Sequence, residues 1–154
     1  TRSVDTRLPV MSIRPRTTFN SIVNRGQIIP EELAVYTATQ PVYWELVYGG
    51  TLTSGTFNNV DADYSIAEVD KAATAITGGI VIAAGYSAAG SGNPNQRGGG
   101  SSAQSILSKL PIALNIAGEH PATPLTDVLS IVCATVPDQE ASAVSTELTW
   151  RELR

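Results

Sequence analysis

The segment PVYWELVY, residues 41–48, decides the fold class. Every second residue from Val42 to Tyr48 is valine, tryptophan, leucine or tyrosine, and the positions between them are tyrosine, glutamate and valine. This period of two, together with its β-branched and aromatic residues, is typical of a half-buried β-strand. We therefore predict a strand here, with Trp44 on its apolar face.

The same alternation recurs along the chain. It is clearest in LPIALNI (110–116), VLSIVCATV (128–136) and VSTELTW (144–150), with further candidates at 9–15, 31–38, 78–86 and 52–60. Only residues 64–76 resemble a helix, and their apolar positions fit neither period well. Many short strands separated by turn residues predict an all-β fold. We expect an antiparallel β-sandwich or a jelly-roll-like arrangement, with at least seven strands and at most one short helix.

The length of 154 residues is that of one ordinary domain. We predict an arginine-rich N-terminal arm and first strand over 1–25, and a single β-sandwich domain over 8–154. A long flexible loop is expected at 88–104, because GSGNPNQRGGGSS (90–102) has no aliphatic or aromatic side chain. A compact domain has little reason to keep such a loop unless something outside the domain uses it.

Charge is unevenly distributed along the chain. The net charge is −4, but residues 1–25 hold five arginines and one aspartate, so the remainder is strongly acidic. The basic segment is either a solvated strand edge or an arm that lies on the acidic surface of a neighbouring subunit. We expect no nucleic-acid partner, because the cluster lacks interleaved aromatic residues and the acidic body repels phosphate.

No apolar run is long enough to span a membrane, so no membrane partner is expected. The interface candidates are Arg2, Arg7, Arg14 and Arg16, with Asn95, Gln96 and Arg97 at the loop tip.

Residues that could perform catalysis are few. His120 is followed by proline in a turn-rich stretch and has no evident nucleophile or orienting group nearby, which indicates a loop residue. Cys133 lies in an apolar strand pattern and, as the single cysteine, forms neither an internal disulfide nor a cysteine metal site. Glycoside hydrolysis would need two facing carboxylates, and nothing indicates that any two of Glu45, Glu147 and Glu152 converge. We predict no catalytic residues and no cofactor.

One acidic stretch, FNNVDADYSIAEVD (57–70), has oxygen ligands that a cation could use. It lacks the glycine and glutamate of a calcium-binding EF-hand loop, and acidic turns between strands are common. Asp61, Asp63 and Asp70 are therefore weak candidates for a metal site, and a solvated loop is the alternative.

Several stretches resemble virion proteins of tailed bacteriophages. They are MSIRPRTTFNSIVNRGQIIP (11–30), YWELVYGGTLTSGTFNNVDA (43–62), ATAITGGIVIAAGY (73–86), ILSKLPIALNIAG (106–118) and LTWREL (148–153). The likeness runs through most of residues 8–153, but none of these stretches is an active-site motif.

The resemblance implies a structural role without enzyme activity or cofactor. The first role that the resemblance implies is that of a capsid decoration (cement) protein, which binds and stabilises the virion. Such a protein would form homo-oligomers and contact the major capsid protein or neighbouring appendage subunits. It would be found in the phage particle, assembled in the host cytoplasm. The alternative is a head or tail fibre, or a spike domain, that binds host-surface glycan. An alternative of another class is a host-surface or carbohydrate-binding module, in which Tyr36, Tyr43 or Tyr48 would stack on sugar rings. A glycan hydrolase is the third possibility.

Overall fold

The computed structural model describes residues 1–89, 102–105, 112–117 and 125–154. These residues form strands and no helix. The strands are β1 (Arg2–Val4), β2 (Leu8–Pro15), β3 (Thr18–Phe19), β4 (Ile22–Val23), β5 (Gln27–Thr37), β6 (Val42–Tyr48), β7 (Thr51–Thr53), β8 (Phe57–Asn59), β9 (Ala67–Asp70), β10 (Ala75–Thr77), β11 (Ile80–Ser87), β12 (Ser102–Ser105), β13 (Ile116–Ala117), β14 (Leu125–Thr126), β15 (Leu129–Thr135) and β16 (Ser142–Leu153). The helix-like stretch 64–76 holds β9 and the start of β10.

Two antiparallel sheets form the body of the protein. The larger has the strand order β11-β6-β15-β2-β9-β8, and the smaller has the order β1-β16-β5-β12. Three two-stranded ribbons, β7–β10, β3–β4 and β13–β14, complete the described strands. The predicted all-β antiparallel fold is confirmed, and the two sheets are consistent with a β-sandwich. The jelly-roll alternative stays a prediction.

One hydrophobic core contains side chains from both sheets. On β6, Val42, Trp44 and Leu46 are buried, as their spacing predicts. They belong to the same cluster as residues of the smaller sheet, such as Leu33 and Val144. Alternate residues point to opposite faces of a strand, so the inward-facing half of each strand supplies the core.

A second small cluster lies on the other face of the larger sheet. The ribbon β7–β10 packs Leu52 and Ile76 over Val47 and Val132. Glycine turns lie before β7 and after β10, and Gly79 in the second turn adopts a φ of +82°. A Cβ atom there would lie 2.6 Å from Val47 Cγ1 and 2.8 Å from the Gly50 nitrogen, so a larger residue would push the ribbon off the sheet.

Two of the expected segments contain strands of the main sheets. Within the expected arm and first strand over 1–25, β1 pairs with β16, and β2 lies inside the larger sheet between β15 and β9. The reason is hydrophobic burial, because β2 is buried over most of its length. In the expected loop 88–104, Ser102–Ser105 form β12 and pair with β5. Residues 90–101 lie outside the described part of the chain.

Candidate interaction surfaces

The arginines predicted at an interface make contacts within their own chain. Arg2 Nη1 donates to the carbonyl oxygens of Pro9 at 2.6 Å and Ala73 at 2.7 Å. Arg7 Nε lies 2.9 Å from Glu45 Oε2, and Arg7 Nη1 donates to a carbonyl of β10 at 3.1 Å. These two residues therefore fasten the β7–β10 region and the outer face of β6 to the N-terminal segment.

Arg14 and Arg16 are engaged in the same way. Arg14 Nε lies 2.5 Å from Glu68 Oε1, and its guanidinium lies 3.9 Å from the centre of the Phe57 ring. Arg16 Nη1 donates to the carbonyl oxygens of Ala62 at 2.9 Å and Ser65 at 3.1 Å. All four arginines thus have structural contacts inside the domain, where the expectation was a neighbouring subunit. The other expected contacts, Asn95, Gln96 and Arg97, lie outside the described residues, as does His120.

The three candidate metal ligands are not brought together. Asp70 is 1% exposed, and its carboxylate accepts hydrogen bonds from the backbone N–H groups of Thr56, Ala72 and Ala73. The described residues contain no group of three His, Cys, Asp or Glu side chains that could hold a metal ion. The weak metal candidate is therefore withdrawn, because backbone amides use the Asp70 oxygens.

Asp61 has a different local role. Its Oδ1 accepts the backbone N–H groups of Asp63 and Tyr64, each at 2.9 Å. These hydrogen bonds, first from Tyr64 and then from Asp63, lower the pKa of the Asp61 carboxyl. The result is a fixed, exposed acidic turn that follows β8.

Cys133 is a core residue, as predicted. Its side chain is buried in β15, and burial raises the pKa of the thiol to about 12. A thiol with such a pKa stays protonated at neutral pH, and the thiolate is the nucleophilic form. Cys133 therefore has the properties of a small hydrophobic residue.

Strand β11 is the longest strand at an edge of the two main sheets, and it pairs with β6 alone among the described strands. Ile80 is 66% exposed, Tyr86 is 68% exposed, and Val81 is also exposed. We call these three residues the edge patch. An edge strand presents unpaired backbone groups that can accept another strand, and its apolar side chains would favour burial.

An aromatic pair lies at one end of the edge patch. The rings of Tyr43 and Tyr86 are 5.1 Å apart between centroids, with an interplanar angle of 53°. Burial, followed by the charge of Glu45, raises the pKa of Tyr43, so its hydroxyl stays protonated. Tyr48 is not available to a ligand in this way: it packs against the core, and a hydrogen bond to Asp127 raises its pKa to about 12.

A second candidate surface is a concave groove beside the β3–β4 hairpin. Asn20 and Ser21 form its two-residue turn with φ values of 50° and 64°, which suits the twist of a tight hairpin. The groove has a volume of about 510 Å³. Its lining residues are Phe19, Ile22, Val23, Asn24, Arg25, Gly26, Ile66 and Arg154, and we call it the Phe19 groove.

A hydrogen-bond network supports the floor of the Phe19 groove. The buried Asn24 side chain donates to the Arg16 carbonyl at 2.9 Å and accepts the Gly26 N–H at 2.9 Å. Glu152 accepts hydrogen bonds from Ser65 Oγ at 2.5 Å and the Ile66 N–H at 2.9 Å. These bonds hold the hairpin, the end of β16 and the acidic turn in fixed positions next to one another.

Sequence reasoning missed the Phe19 groove and the edge patch as sites. The hairpin strands have two residues each, too short for a period to show, although Asn20-Ser21 between Phe19 and Ile22 is a turn signal. The run containing β11 was predicted as a strand, but nothing local indicates that it lies at a sheet edge.

Comparison with known proteins finds no matching family model, no matching curated protein and no matching solved structure. The described residues include no helix with the length and hydropathy to cross a membrane.

Proposed function

We propose that this protein is a non-enzymatic structural component of a tailed-bacteriophage particle, in the first place a capsid decoration protein that attaches through subunit contacts. The observation that carries the proposal is the edge patch on β11. The resemblance of the sequence to virion proteins supplies the phage context.

The proposed contact is the addition of a strand from a neighbouring subunit. One edge of β11 pairs with β6, and from Ile80 to Tyr86 no described strand pairs with its other edge. A partner strand would satisfy the open N–H and C=O groups and cover Ile80, Val81 and Tyr86. Natural proteins usually protect edges with charged residues, proline, β-bulges or very short strands. β11 has eight residues without charge or proline, and its one irregularity is a register shift between Val81 and Ala83.

The test is co-sedimentation with phage heads prepared without this chain. We expect the wild-type protein to sediment with heads and not with isolated tails. The Val81→Lys variant places a charge in the edge patch, so we expect its head binding to fall at least about tenfold. The matched control is Thr149→Lys on β16, an exposed strand position away from the patch. Equal binding by both variants, or no binding by the wild type, would contradict the proposal.

A fibre or spike domain that binds host glycan is the second candidate, and the Tyr43–Tyr86 pair favours it. Exposed aromatic rings provide flat apolar faces on which sugar rings can stack. A glycan array would then show binding that Tyr86→Ala abolishes. Thr149→Ala is the control, because Thr149 is exposed on β16 and belongs neither to the aromatic pair nor to the edge patch. Binding that survives Tyr86→Ala would remove this candidate.

A further inference from the structure

We infer that the Phe19 groove of one copy receives Tyr64 from a second copy of this chain. The inference rests on the proposed function, since it names one of the subunit contacts through which the protein would act. It follows from three properties of one corner of the molecule: an apolar groove with basic residues, a fixed aromatic side chain with acidic residues, and the position of the two side by side.

The groove offers apolar surface that the chain itself leaves uncovered. Ile22 is 68% exposed, and Val23 beside it is exposed as well. Phe19 and Ile66 complete the apolar lining. The groove is open on one side, and its volume of about 510 Å³ is ample for one tyrosine side chain.

The charged residues of the groove favour an acidic occupant. Arg25 and Arg154 contribute to the lining, and no acidic residue does so among the described residues. The Arg25 guanidinium has no hydrogen bond or ion pair with any described residue. Arg154 lies 5.3 Å from the centre of the Phe19 ring and 3.7 Å from Glu152. Donors therefore remain for carboxylates of a partner.

Tyr64 fits these requirements. At 75% it is the most exposed large hydrophobic side chain in the described part of the chain. The hydrogen bonds from the Asp63 and Tyr64 backbone to Asp61 fix the turn that presents it, so little conformational entropy is lost on binding. The carboxylates of Asp61 and Asp63 lie just before Tyr64 in the sequence, and tyrosine is among the residues that most often anchor interfaces.

The groove and the Tyr64 turn lie next to each other on one corner. Arg16 joins them, because it donates to the Ala62 carbonyl and its guanidinium lies 5.5 Å from the Phe19 ring centre. Two complementary features that adjoin on one surface can be used reciprocally about a two-fold axis, as in most homodimers. Each dimer would then contain two contacts between Tyr64 and the Phe19 groove.

The experiment measures self-association of the full chain by sedimentation velocity over a concentration series. We expect a concentration-dependent dimer, with a dissociation constant that Tyr64→Ala or Ile22→Ser raises at least about tenfold. Both side chains are exposed, so the fold should tolerate either change, and circular dichroism verifies this. Tyr36→Ala, at an exposed tyrosine on β5, should dimerise as the wild type does.

Mixing the two variants distinguishes this docking from a general effect. A Tyr64→Ala copy keeps its groove, and an Ile22→Ser copy keeps its tyrosine, so a heterodimer regains one contact that neither homodimer has. We expect the mixture to dimerise more strongly than either variant alone. A wild type that stays monomeric, a Tyr64→Ala protein that dimerises normally, or a mixture without gain would overturn the inference. Binding to phage heads is measured separately. A wild-type protein that stays monomeric but still sediments with heads would contradict the dimer inference and leave the proposed function in place.

Discussion

Removing the buried Asp70 carboxylate should destabilise the protein more than any other single acidic substitution in the 61–70 stretch. The carboxylate is 1% exposed and accepts three backbone N–H groups, one from the turn before β8 and two from the turn after β9. Asp70→Ala leaves these donors without their acceptor. A buried donor left unsatisfied costs about 1–3 kcal/mol.

The three donors are not equally shielded. The Ala73 N–H is buried, and those of Thr56 and Ala72 are partly buried, so water can reach the latter two once the carboxylate is gone. Taking about 2 kcal/mol for the first and about 1 kcal/mol for each of the others gives a loss near 4 kcal/mol. That is a large part of the free energy of unfolding of a typical domain, about 5–15 kcal/mol.

Urea denaturation followed by tryptophan fluorescence gives the free energy of unfolding of each variant. The control is Asp63→Ala, because the Asp63 carboxylate is exposed and accepts no hydrogen bond from a described residue. We expect the control to change the free energy of unfolding by less than about 0.5 kcal/mol. A loss below about 1 kcal/mol for Asp70→Ala, or equal losses for the two variants, would refute this reasoning.

Three further predictions concern other buried groups. Burial acts to raise the pKa of Glu152, but hydrogen bonds from Ser65, Ile66 and Trp150 and the charge of Arg154 outweigh it and lower the pKa from 4.5. A carboxyl whose pKa is lower in the folded state than in the unfolded state stabilises the protein at a pH above its unfolded-state pKa. That stabilisation is lost as the pH falls through the folded-state pKa. The stability difference between wild type and Glu152→Gln should therefore shrink when urea unfolding is measured at about pH 3 instead of about pH 6, and a constant difference would contradict the network. Cys133 should react with a disulfide reagent at least about a thousandfold more slowly in the native protein than in urea. The absorbance of the thiol released from the reagent follows the reaction, and rapid labelling of the native protein would show that β15 is accessible. Gly85→Ala places a Cβ atom 2.8 Å from Trp44 Cζ2, so we expect a loss of about 1–3 kcal/mol in a thermal melt; an unchanged melt would mean that the indole can move aside.

The strand faces could be predicted from sequence wherever the alternation of period two was strong. Trp44 and Leu46 are buried as their spacing requires. Val47 falls on the opposite face and is buried as well, because the β7–β10 ribbon covers it. That covering depends on contacts between segments distant along the chain, which a local period does not encode.

The basic N-terminal segment illustrates the same limit for charge. The arginines counted in residues 1–25 indicate either a solvated strand edge or an arm on a neighbouring subunit, but in the fold Arg14 pairs with Glu68, 54 positions away. Composition shows that a segment has an excess of positive charge. It does not show where the acidic partners of those side chains lie after folding. The groove was missed for a related reason, since Phe19, Ile66 and Arg154 come together only through the tertiary fold.

The claim that this chain acts by fitting against other subunits is tested most directly by a reconstruction of purified phage heads carrying it. The account predicts density for the two sheets on the head surface, with the Ile80–Ser87 strand against a neighbouring subunit. Heads that lack the chain, or density in which that strand faces solvent on every copy, would contradict the account.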